Sequence, residues 1–291
     1  MPTFTAPDGT ELAYHLRGEG PPLVCLPGGA MRASRYLGDL GGLAAGRTLV
    51  LLDLLDLLDL LDLRGTGDSA VPADESTYRV DRQVADVEAL RLHLGTDRMD
   101  VLAHSAGGNL LMLYAAAHPR RLGRTVLVTP TAWALDLAAT PQDRLAAARL
   151  RAGAEPYDTA REAYVRILDG ADSDEDWDRA APLFYGRWDG TARAHYAAGY
   201  REQNERASAA FAGPGAFDPA ATRAALRRVA GEVLVLAGEL DGNPPPALAA
   251  RIADAFPAGR LDVRRAAAHF PWLDDAAGFA ERVERFLVTG V

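Results

Sequence analysis

Lysine is absent from this chain, and cysteine is almost absent. All 31 basic residues among the 291 are therefore arginine, and 40 acidic residues outnumber them, which sets the formal net charge at −9. The arginines form no clustered basic stripe, so this acidic balance argues against nucleic acid or an anionic membrane as a partner. The single cysteine, Cys25, excludes an intramolecular disulfide and fits a reducing compartment. Its place in the apolar segment 23–26 predicts an inert, buried strand residue rather than a nucleophile.

The amino terminus lacks the basic start and apolar stretch of a secretory signal, so a cytoplasmic location is the expectation. Long uninterrupted hydrophobic runs are also missing. In residues 51–62 Leu-Leu-Asp occurs four times in succession, and an aspartate at every third position makes burial in lipid too costly. A period of three suits neither a strand nor an α-helix. We interpret three of the copies as a tandem duplication that follows a strand, and an amphipathic or dimerising segment is the alternative.

Two segments imitate ligand-binding motifs. Residues 65–70 match a loose dinucleotide fingerprint, but Pro72 and a polar stretch stand where the phosphate-binding helix should begin. The aspartates of residues 172–176 imitate the start of a calcium loop, yet tryptophan and leucine occupy the positions that need glycine and glutamate. A helix that begins after Ser173 explains them better. No cluster of histidines and carboxylates has the spacing of metal ligands, so we expect neither a metal nor a cofactor.

Short apolar runs alternate with amphipathic helical patterns over most of the chain, which predicts parallel strands covered by helices on both faces. A Pro-Asp-Gly turn at residues 7–9 predicts an antiparallel hairpin before them. Residues 131–228 differ, because they contain Ala- and Arg-rich helical stretches and many aromatics without a convincing strand. The sequence therefore predicts an α/β core of residues 1–130 and 229–291 and a helical lid or cap of residues 131–228, named here the lid segment.

Residues 99–109 join a strand to a helix through a serine, Ser105, which is flanked by Ala103 and Gly107. A sharp strand-to-helix turn leaves no room for large side chains and holds the hydroxyl in a strained, exposed position. The pattern is the Gly-x-Ser-x-Gly elbow with Ala103 in the place of the first glycine. Ser105 is therefore the candidate nucleophile, and a simple helix N-cap is the alternative.

A nucleophilic serine needs a base, because a hydroxyl is a weak nucleophile at neutral pH. Of the six histidines, His269 follows the last strand in a loop at the carboxyl edge of the sheet, where ligands bind in such folds. Asp241 follows a buried strand between glycines and is the candidate that orients the imidazole. Glu239 and Asp136 are the alternatives for that role.

Backbone N–H groups must stabilise the oxyanion that develops when the serine attacks. The N–H of Ala106, at the positive end of the helix after Ser105, is one candidate donor. The loop of residues 27–30 follows a strand and brings a second N–H close, for which we select Gly29. Glycine at that position permits unusual dihedrals and close approach to a substrate.

These motifs, in the order in which they occur along the chain, resemble those of α/β-hydrolases of the proline iminopeptidase-like branch. The resemblance implies a mostly parallel, eight-stranded sheet with helices on both faces and a helical lid insertion. Pro27 and Ala106 depart from the histidine and tryptophan of true proline iminopeptidases, and these departures leave the substrate class open. The matching segments are the oxyanion loop, an Asp-x-Arg-Gly-x-Gly-x-Ser loop, the elbow, and the aspartate and histidine loops, at residues 26–29, 62–69, 103–108, 238–242 and 269–274.

The prediction is a metal-independent serine hydrolase that cleaves an ester, amide or N-terminal peptide bond of a small molecule or short peptide. The resemblance also implies that Glu202 and Glu205 bind a substrate's amino group, with a solvated helix face as the alternative. Two other functions stay open. One is a catalytically silent protein that binds a ligand under the lid segment, and the other is an oxidoreductase that uses residues 65–70. The oligomeric state is not predicted.

Overall fold

The computed structural model describes residues 2–51, 63–171 and 173–291. Within them the strands are β1 (Thr3–Thr5), β2 (Glu11–Ala13), β3 (His15–Arg17), β4 (Pro22–Leu26), β5 (Thr48–Leu51), β6 (Met99–His104), β7 (Leu122–Val128), β8 (Val233–Gly238) and β9 (Gly259–Arg264). The main sheet has the order β3-β5-β4-β6-β7-β8-β9. Only β3 is antiparallel to its neighbour, so the prediction of a mostly parallel sheet is confirmed.

Parallel neighbours need crossover connections, and helices provide most of them. The α-helices of the described residues are α1 (Val84–His93), α2 (Gly107–Ala117), α3 (Pro141–Arg149), α4 (Tyr157–Leu168), α5 (Asp174–Ala180), α6 (Gly190–Glu202), α7 (Glu205–Phe211), α8 (Pro219–Leu226), α9 (Pro246–Ala253), α10 (Pro271–Asp274) and α11 (Ala276–Thr289). Short 3-10 helices lie at Ser34–Leu37, Leu43–Ala45, Glu75–Tyr78, Trp133–Leu135 and Ala181–Phe184.

Both faces of the sheet are covered. Successive side chains of a strand point to opposite faces, so the central strands contribute to two hydrophobic clusters. In β8, Val233 and Val235 belong to the cluster that includes residues of α1, α2 and α9, whereas Leu234 and Leu236 belong to the cluster that includes α11. The predicted arrangement of helices on both faces is therefore confirmed.

The amino-terminal hairpin forms but stays outside the main sheet. Strand β1 pairs antiparallel with β2, and Phe4 lies opposite Leu12. Tyr14 still belongs to the hairpin, since its N–H donates to the Pro2 carbonyl oxygen at 3.1 Å. Pairing with β5 begins only at His15. The predicted eight-stranded sheet is therefore wrong for the described residues, whose main sheet contains seven strands. One edge of β2 pairs with β1, and its other edge bonds to residues 69 and 70 instead of to the main sheet.

The chain between β7 and β8 leaves the sheet and returns to it without adding a strand among the described residues. Strands β7 and β8 pair directly, with Thr125 opposite Val233, and the interval between them contains α3 to α8. The interval begins at the carboxyl end of β7 and returns to the amino end of β8.

Residues 52–62, which contain most of the Leu-Leu-Asp repeat, lie outside the described residues, so its interpretation stays a prediction. In the part of the chain that the structure describes, no helix combines the length and apolarity needed to cross a membrane.

Candidate active site

Ser105 lies in a sharp turn between β6 and α2. Its backbone φ is +50°, in the left-handed region that L residues adopt only under local constraint. The Ser105 N–H donates to the Val128 carbonyl, and its own carbonyl accepts from the Thr131 N–H, each at 3.0 Å. Small residues are needed around this turn, since a Cβ on Gly107 would lie 2.4 Å from the Pro27 carbonyl oxygen. The turn therefore has the geometry of the predicted elbow.

The side chain of Ser105 does not cap α2. Ala106 is the N-cap residue, and no side chain caps that end of the helix. The Ser105 Oγ lies instead 3.0 Å from Nε2 of His269. The alternative interpretation of Ser105 as a helix cap is therefore wrong.

His269 lies between Ser105 and Asp241. Its Nδ1 is 2.8 Å from Oδ2 of Asp241, whose side chain is only 5% exposed, and Oδ1 of the same carboxylate accepts from the Asn243 N–H at 2.8 Å. Because an ionised carboxylate only accepts, Nδ1 carries the proton and Nε2 accepts from the Ser105 hydroxyl. The structure thus brings together the three residues predicted to form the triad.

Neighbouring strands position the aspartate and the histidine. Asp241 follows β8 and His269 follows β9, and the carboxyl ends of these parallel neighbours meet at one edge of the sheet. The two loops approach so closely that a Cβ on Gly238 would lie 2.3 Å from the Ala268 carbonyl oxygen. Glycine is therefore required where the aspartate loop begins.

The alternative carboxylates have other positions. Glu239 is exposed, and its Oε2 accepts from the Ala266 N–H at 2.8 Å, which supports the loop that leads to the histidine. Asp136 is exposed at the end of a short 3-10 helix. Neither is the hydrogen-bond partner of His269 Nδ1, which contacts Asp241.

Three hydrogen bonds hold the main chain of His269. Its carbonyl oxygen lies 3.0 Å from Nε2 of His104 and accepts from the Thr129 hydroxyl at 2.9 Å. Its N–H donates to the Phe184 carbonyl oxygen at 3.1 Å. No motif in the sequence signals these supports. Only the position of His104 beside the nucleophile could have indicated one of them.

His104 is itself held by Tyr36. The Tyr36 hydroxyl lies 2.8 Å from Nδ1 of His104 and 2.5 Å from the Gly28 nitrogen, which donates to it. Burial lowers the pKa of His104 well below its usual value, and the nearby His269 lowers it further, so the ring is neutral. Nothing in the sequence pattern around Tyr36 signals this contact.

The loop that contains Gly29 turns through a left-handed conformation at Gly29, Ala30 and Met31, with φ of +69°, +41° and +76°. The Gln203 side-chain amide fixes it by donating to the Gly29 and Ala30 carbonyls at 2.7 and 3.0 Å. A Cβ on the preceding Gly28 would lie 2.7 Å from the Ser105 Cβ, so this loop approaches the nucleophile closely. The assignment of the Gly29 and Ala106 N–H groups to the oxyanion stays a prediction.

The structure does not bring Glu202 and Glu205 to the triad. Glu202 is buried and accepts from Arg32 at 2.7 Å, so its charge is already matched. Glu205 is exposed in the first turn of α7. Both line a groove beside residues 65–67, whereas a different cavity reaches His269. This geometry gives no support to the prediction that they bind a substrate's amino group.

The cavity next to the triad has a volume of about 240 Å³ and reaches both Asp241 and His269. Most of its wall comes from the lid segment, and we name it the triad cavity. Its lining is Arg144, Ala147, Ala148, Arg151, Tyr164, Trp177, Leu183 and Phe184 from the lid segment, with Leu240, Asp241, Gly242, Asn243 and His269 from the core.

The two segments that resemble ligand-binding motifs, residues 65–70 and 172–176, do not form such sites in the part of the chain that the structure describes. After residues 65–70 the next α-helix along the chain begins only at Val84, so the loop does not lead directly into a helix as the dinucleotide fingerprint requires. Asp172 lies outside the described residues, and Ser173 caps α5 by accepting from the Asp176 N–H at 3.2 Å. Within the described ranges, no group of three His, Cys, Asp or Glu side chains could hold a metal.

Cys25 is fully buried in β4, and burial raises the pKa of its thiol.

Comparison with known proteins places these features in a family. The model of the alpha/beta hydrolase fold family matches residues 21–276. The proline iminopeptidase of Lactobacillus helveticus is 34% identical over 126 residues, which are 41% of this chain and 40% of the relative. The chain thus matches less than half the length of this curated relative.

Solved structures match over almost the whole chain. The proline iminopeptidase of Mycobacterium smegmatis superposes with a TM-score of 0.72 at 24% identity, covering 99% of this chain and 98% of its own. The esterase RhEst1 from Rhodococcus sp. ECU1013 superposes with a TM-score of 0.70 at 22% identity, with coverages of 99% and 98%. At these identities the likeness establishes the fold.

Proposed function

The chain belongs to the alpha/beta hydrolase fold family, and we propose that it is a serine hydrolase that cleaves an ester or amide bond. The observation that carries the proposal is the continuous contact from Ser105 Oγ to His269 Nε2 and from His269 Nδ1 to Asp241. A serine with its hydroxyl hydrogen-bonded to a histidine, which a buried carboxylate orients, is the arrangement that activates a hydroxyl for attack.

In the proposed reaction, Ser105 Oγ attacks the substrate carbonyl while His269 Nε2 takes the hydroxyl proton. The tetrahedral intermediate collapses as His269 gives this proton to the leaving alcohol or amine, and an acyl-enzyme remains. Water then attacks the acyl carbonyl with His269 as base, and the Ser105 oxygen leaves with the proton that His269 returns. Asp241 stays ionised and stabilises the imidazolium that forms in each half-reaction.

The N–H groups of Ala106 and Gly29 are the proposed donors to the oxyanion. Ala106 lies at the start of α2, where backbone N–H groups point outward and the helix dipole favours negative charge. The contact between the Gly28 position and Ser105 supports the second assignment, because it brings the Gly29 loop beside the nucleophile.

We further propose that residues 131–228 are a lid over a core of residues 1–130 and 229–291. The lining of the triad cavity supports this division, since the lid segment forms most of its wall. Its volume of about 240 Å³ fits a small molecule or the end of a short peptide as the substrate. The similarity to proline iminopeptidases supports an amide, and the Rhodococcus esterase supports an ester. The proposed location is the cytoplasm, consistent with one buried, unpaired cysteine.

Labelling with a fluorophosphonate tests the proposal, because this probe reacts covalently with activated serines. We expect the wild-type protein to be labelled and the Ser105→Ala variant not to be labelled. Ser208→Ala, which removes a hydroxyl from α7, is the matched control and should label normally. Failure of the folded wild-type protein to label would refute the proposal and favour a silent binding protein.

A further inference from the structure

Two arginines of the lid segment line the triad cavity. Arg144 lies in α3, and Arg151 follows that helix by two residues. Among the described residues neither forms an ion pair, although the chain has more acidic than basic residues. Asp241 is the one carboxylate in the described lining, and it already accepts from His269 and Asn243. The charged groups of this lining therefore sum to one excess positive charge.

Arg151 is partly buried, and no carboxylate of the described residues pairs with it. Its Nη2 donates to the Leu183 carbonyl at 2.7 Å, and its Nη1 donates to the carbonyls of Tyr185 and Pro182 at 2.5 and 3.3 Å. The guanidinium lies 4.5 Å from the centre of the Tyr157 ring, and its Nε is buried with no hydrogen-bond partner among the described residues. Burial accordingly lowers the pKa of this guanidinium below its usual value. A partly buried cation without a counter-ion attracts an anion that enters the cavity, since the low local dielectric screens the charge less than water does.

Arg144 lies beside the triad, and most of its N–H donors have no partner among the described residues. Its Cα would lie 3.0 Å from a Cβ on Gly242, the residue after the triad aspartate, so α3 packs directly against that loop. Its Nη1 makes one long contact of 3.5 Å with the Tyr164 hydroxyl. A guanidinium carries five N–H donors in a planar fork that matches a carboxylate.

The remaining lining is mostly apolar, with Tyr164, Trp177, Leu183 and Phe184 around the two arginines. We propose that the substrate carries a carboxylate on an apolar body, and that Arg144, assisted by Arg151, binds this carboxylate within the triad cavity. The inference rests on the proposed hydrolase function, because only an enzyme has a substrate. The binding of a carboxylate to Arg144 can nevertheless be measured without turnover.

Binding measured by calorimetry tests the site directly. Benzoate and benzamide have nearly the same shape and differ in charge. We expect the wild-type protein to bind benzoate about 10- to 100-fold more tightly than benzamide, the range of a charge-assisted hydrogen bond. Arg144→Gln should abolish this preference. Arg149→Gln is the matched control, because Arg149 is on the same helix but exposed and outside the cavity lining.

Turnover then shows where on the substrate the carboxylate belongs. One pair, 4-nitrophenyl hydrogen adipate and 4-nitrophenyl hexanoate, places the charge in the acyl group. The other pair, 4-acetoxybenzoate and phenyl acetate, places it in the leaving group. We expect Arg144→Gln to raise KM for the charged member of one pair about tenfold or more relative to its effect on the neutral member of the same pair.

Equal affinity of the wild-type protein for benzoate and benzamide would overturn the inference. So would an equal loss of benzoate affinity in Arg144→Gln and Arg149→Gln. Hydrolysis of the neutral esters would then still uphold the proposed function. Conversely, Arg144-dependent binding of benzoate by a protein that neither turns over an ester nor labels would uphold the carboxylate site and refute the hydrolase.

Discussion

His104 Nε2 lies 3.0 Å from the main-chain oxygen of His269, and the two imidazole rings are 4.9 Å apart. Because a carbonyl oxygen only accepts, Nε2 of His104 carries the proton and Nδ1 accepts from the Tyr36 hydroxyl. The Gly28 N–H in turn donates to the Tyr36 oxygen. A single hydrogen-bonded chain therefore connects the proposed oxyanion loop to the triad histidine.

Tyr36→Phe should lower kcat and stability together. The change leaves the buried Gly28 N–H and His104 Nδ1 without a partner, at a cost of about 1–3 kcal/mol. We expect kcat to fall by a larger factor than KM changes. The hydrogen-bonded chain from Gly28 to His269 positions groups that act in the reaction, but Tyr36 itself does not contact the proposed substrate. Tyr200→Phe is the control, since this tyrosine is 55% exposed. Unchanged kcat in Tyr36→Phe would show that the chain does not position the histidine.

Asp241→Asn should reduce kcat by about 10³- to 10⁴-fold without unfolding the protein. An amide at this position donates a hydrogen bond to Nδ1 of His269, and the proton then resides on Nε2, which no longer accepts from Ser105. Steady-state kinetics and circular dichroism measure the two effects. Glu239→Gln, two residues away and exposed, should keep full activity. A comparable loss in Glu239→Gln would contradict the assignment.

Stability should fall as the pH is lowered from 7.5 to 5. Burial lowers the pKa of His104 well below its usual value, and burial with the nearby Arg32 charge lowers that of His195 to about 3. Unfolded histidines titrate near pH 6.5, so below that pH the unfolded state binds protons that the folded state does not. Below pH 6.5, each of these two histidines then lowers the free energy of unfolding by about 1.4 kcal/mol for every unit by which the pH falls.

Urea unfolding at several pH values measures this slope. His195→Gln should reduce the fall in the free energy of unfolding by the contribution of one proton, since the variant has no imidazole at that position to titrate. An unfolding free energy that is constant between pH 7.5 and 5 would exclude the linkage.

Arg64→Ala should destabilise the protein by about 3–5 kcal/mol. Arg64 is almost fully buried and donates to both oxygens of Asp86, at 2.9 and 2.6 Å, and to Asp8. Its removal leaves Asp86 as a buried carboxylate without its partner, and burial raises the pKa of that group. The double variant Arg64→Met/Asp86→Leu should recover much of the loss in urea unfolding. Arg121→Ala, which breaks an exposed pair, should have little effect, and an equal loss there would contradict the argument.

Local patterns were sufficient to predict much of the fold. The Pro-Asp-Gly turn predicted the hairpin of β1 and β2, and alternating apolar runs predicted the parallel sheet with helices on both faces. The places of Ser105, Asp241 and His269 after separate strands predicted that they meet, and they do. Such features are predictable because each depends on a few neighbouring residues and because parallel strands end at a common edge.

Other features depended on which side chains meet across long separations. The resemblance implied that Glu202 binds a substrate's amino group, with a solvated helix face as the alternative, and the structure pairs Glu202 with Arg32, which is 170 positions earlier in the chain. The eight-stranded sheet was wrong because β2 pairs with β1 on one edge and bonds to residues 69 and 70 on the other. The support of His269 by His104 and Thr129 spans more than 100 residues and has no sequence signature.

The sequence by itself determined the strand-to-helix elbow at Ser105, the order of the triad and the family resemblance, since small residues and turn chemistry act locally. Only the tertiary structure decided which groups surround that elbow. It paired Glu202 with Arg32 and left Arg144 and Arg151 beside His269 without carboxylate partners among the described residues. The physical reason is that burial and charge pairing are properties of the packed chain, and a residue's type does not reveal which partner packing brings to it.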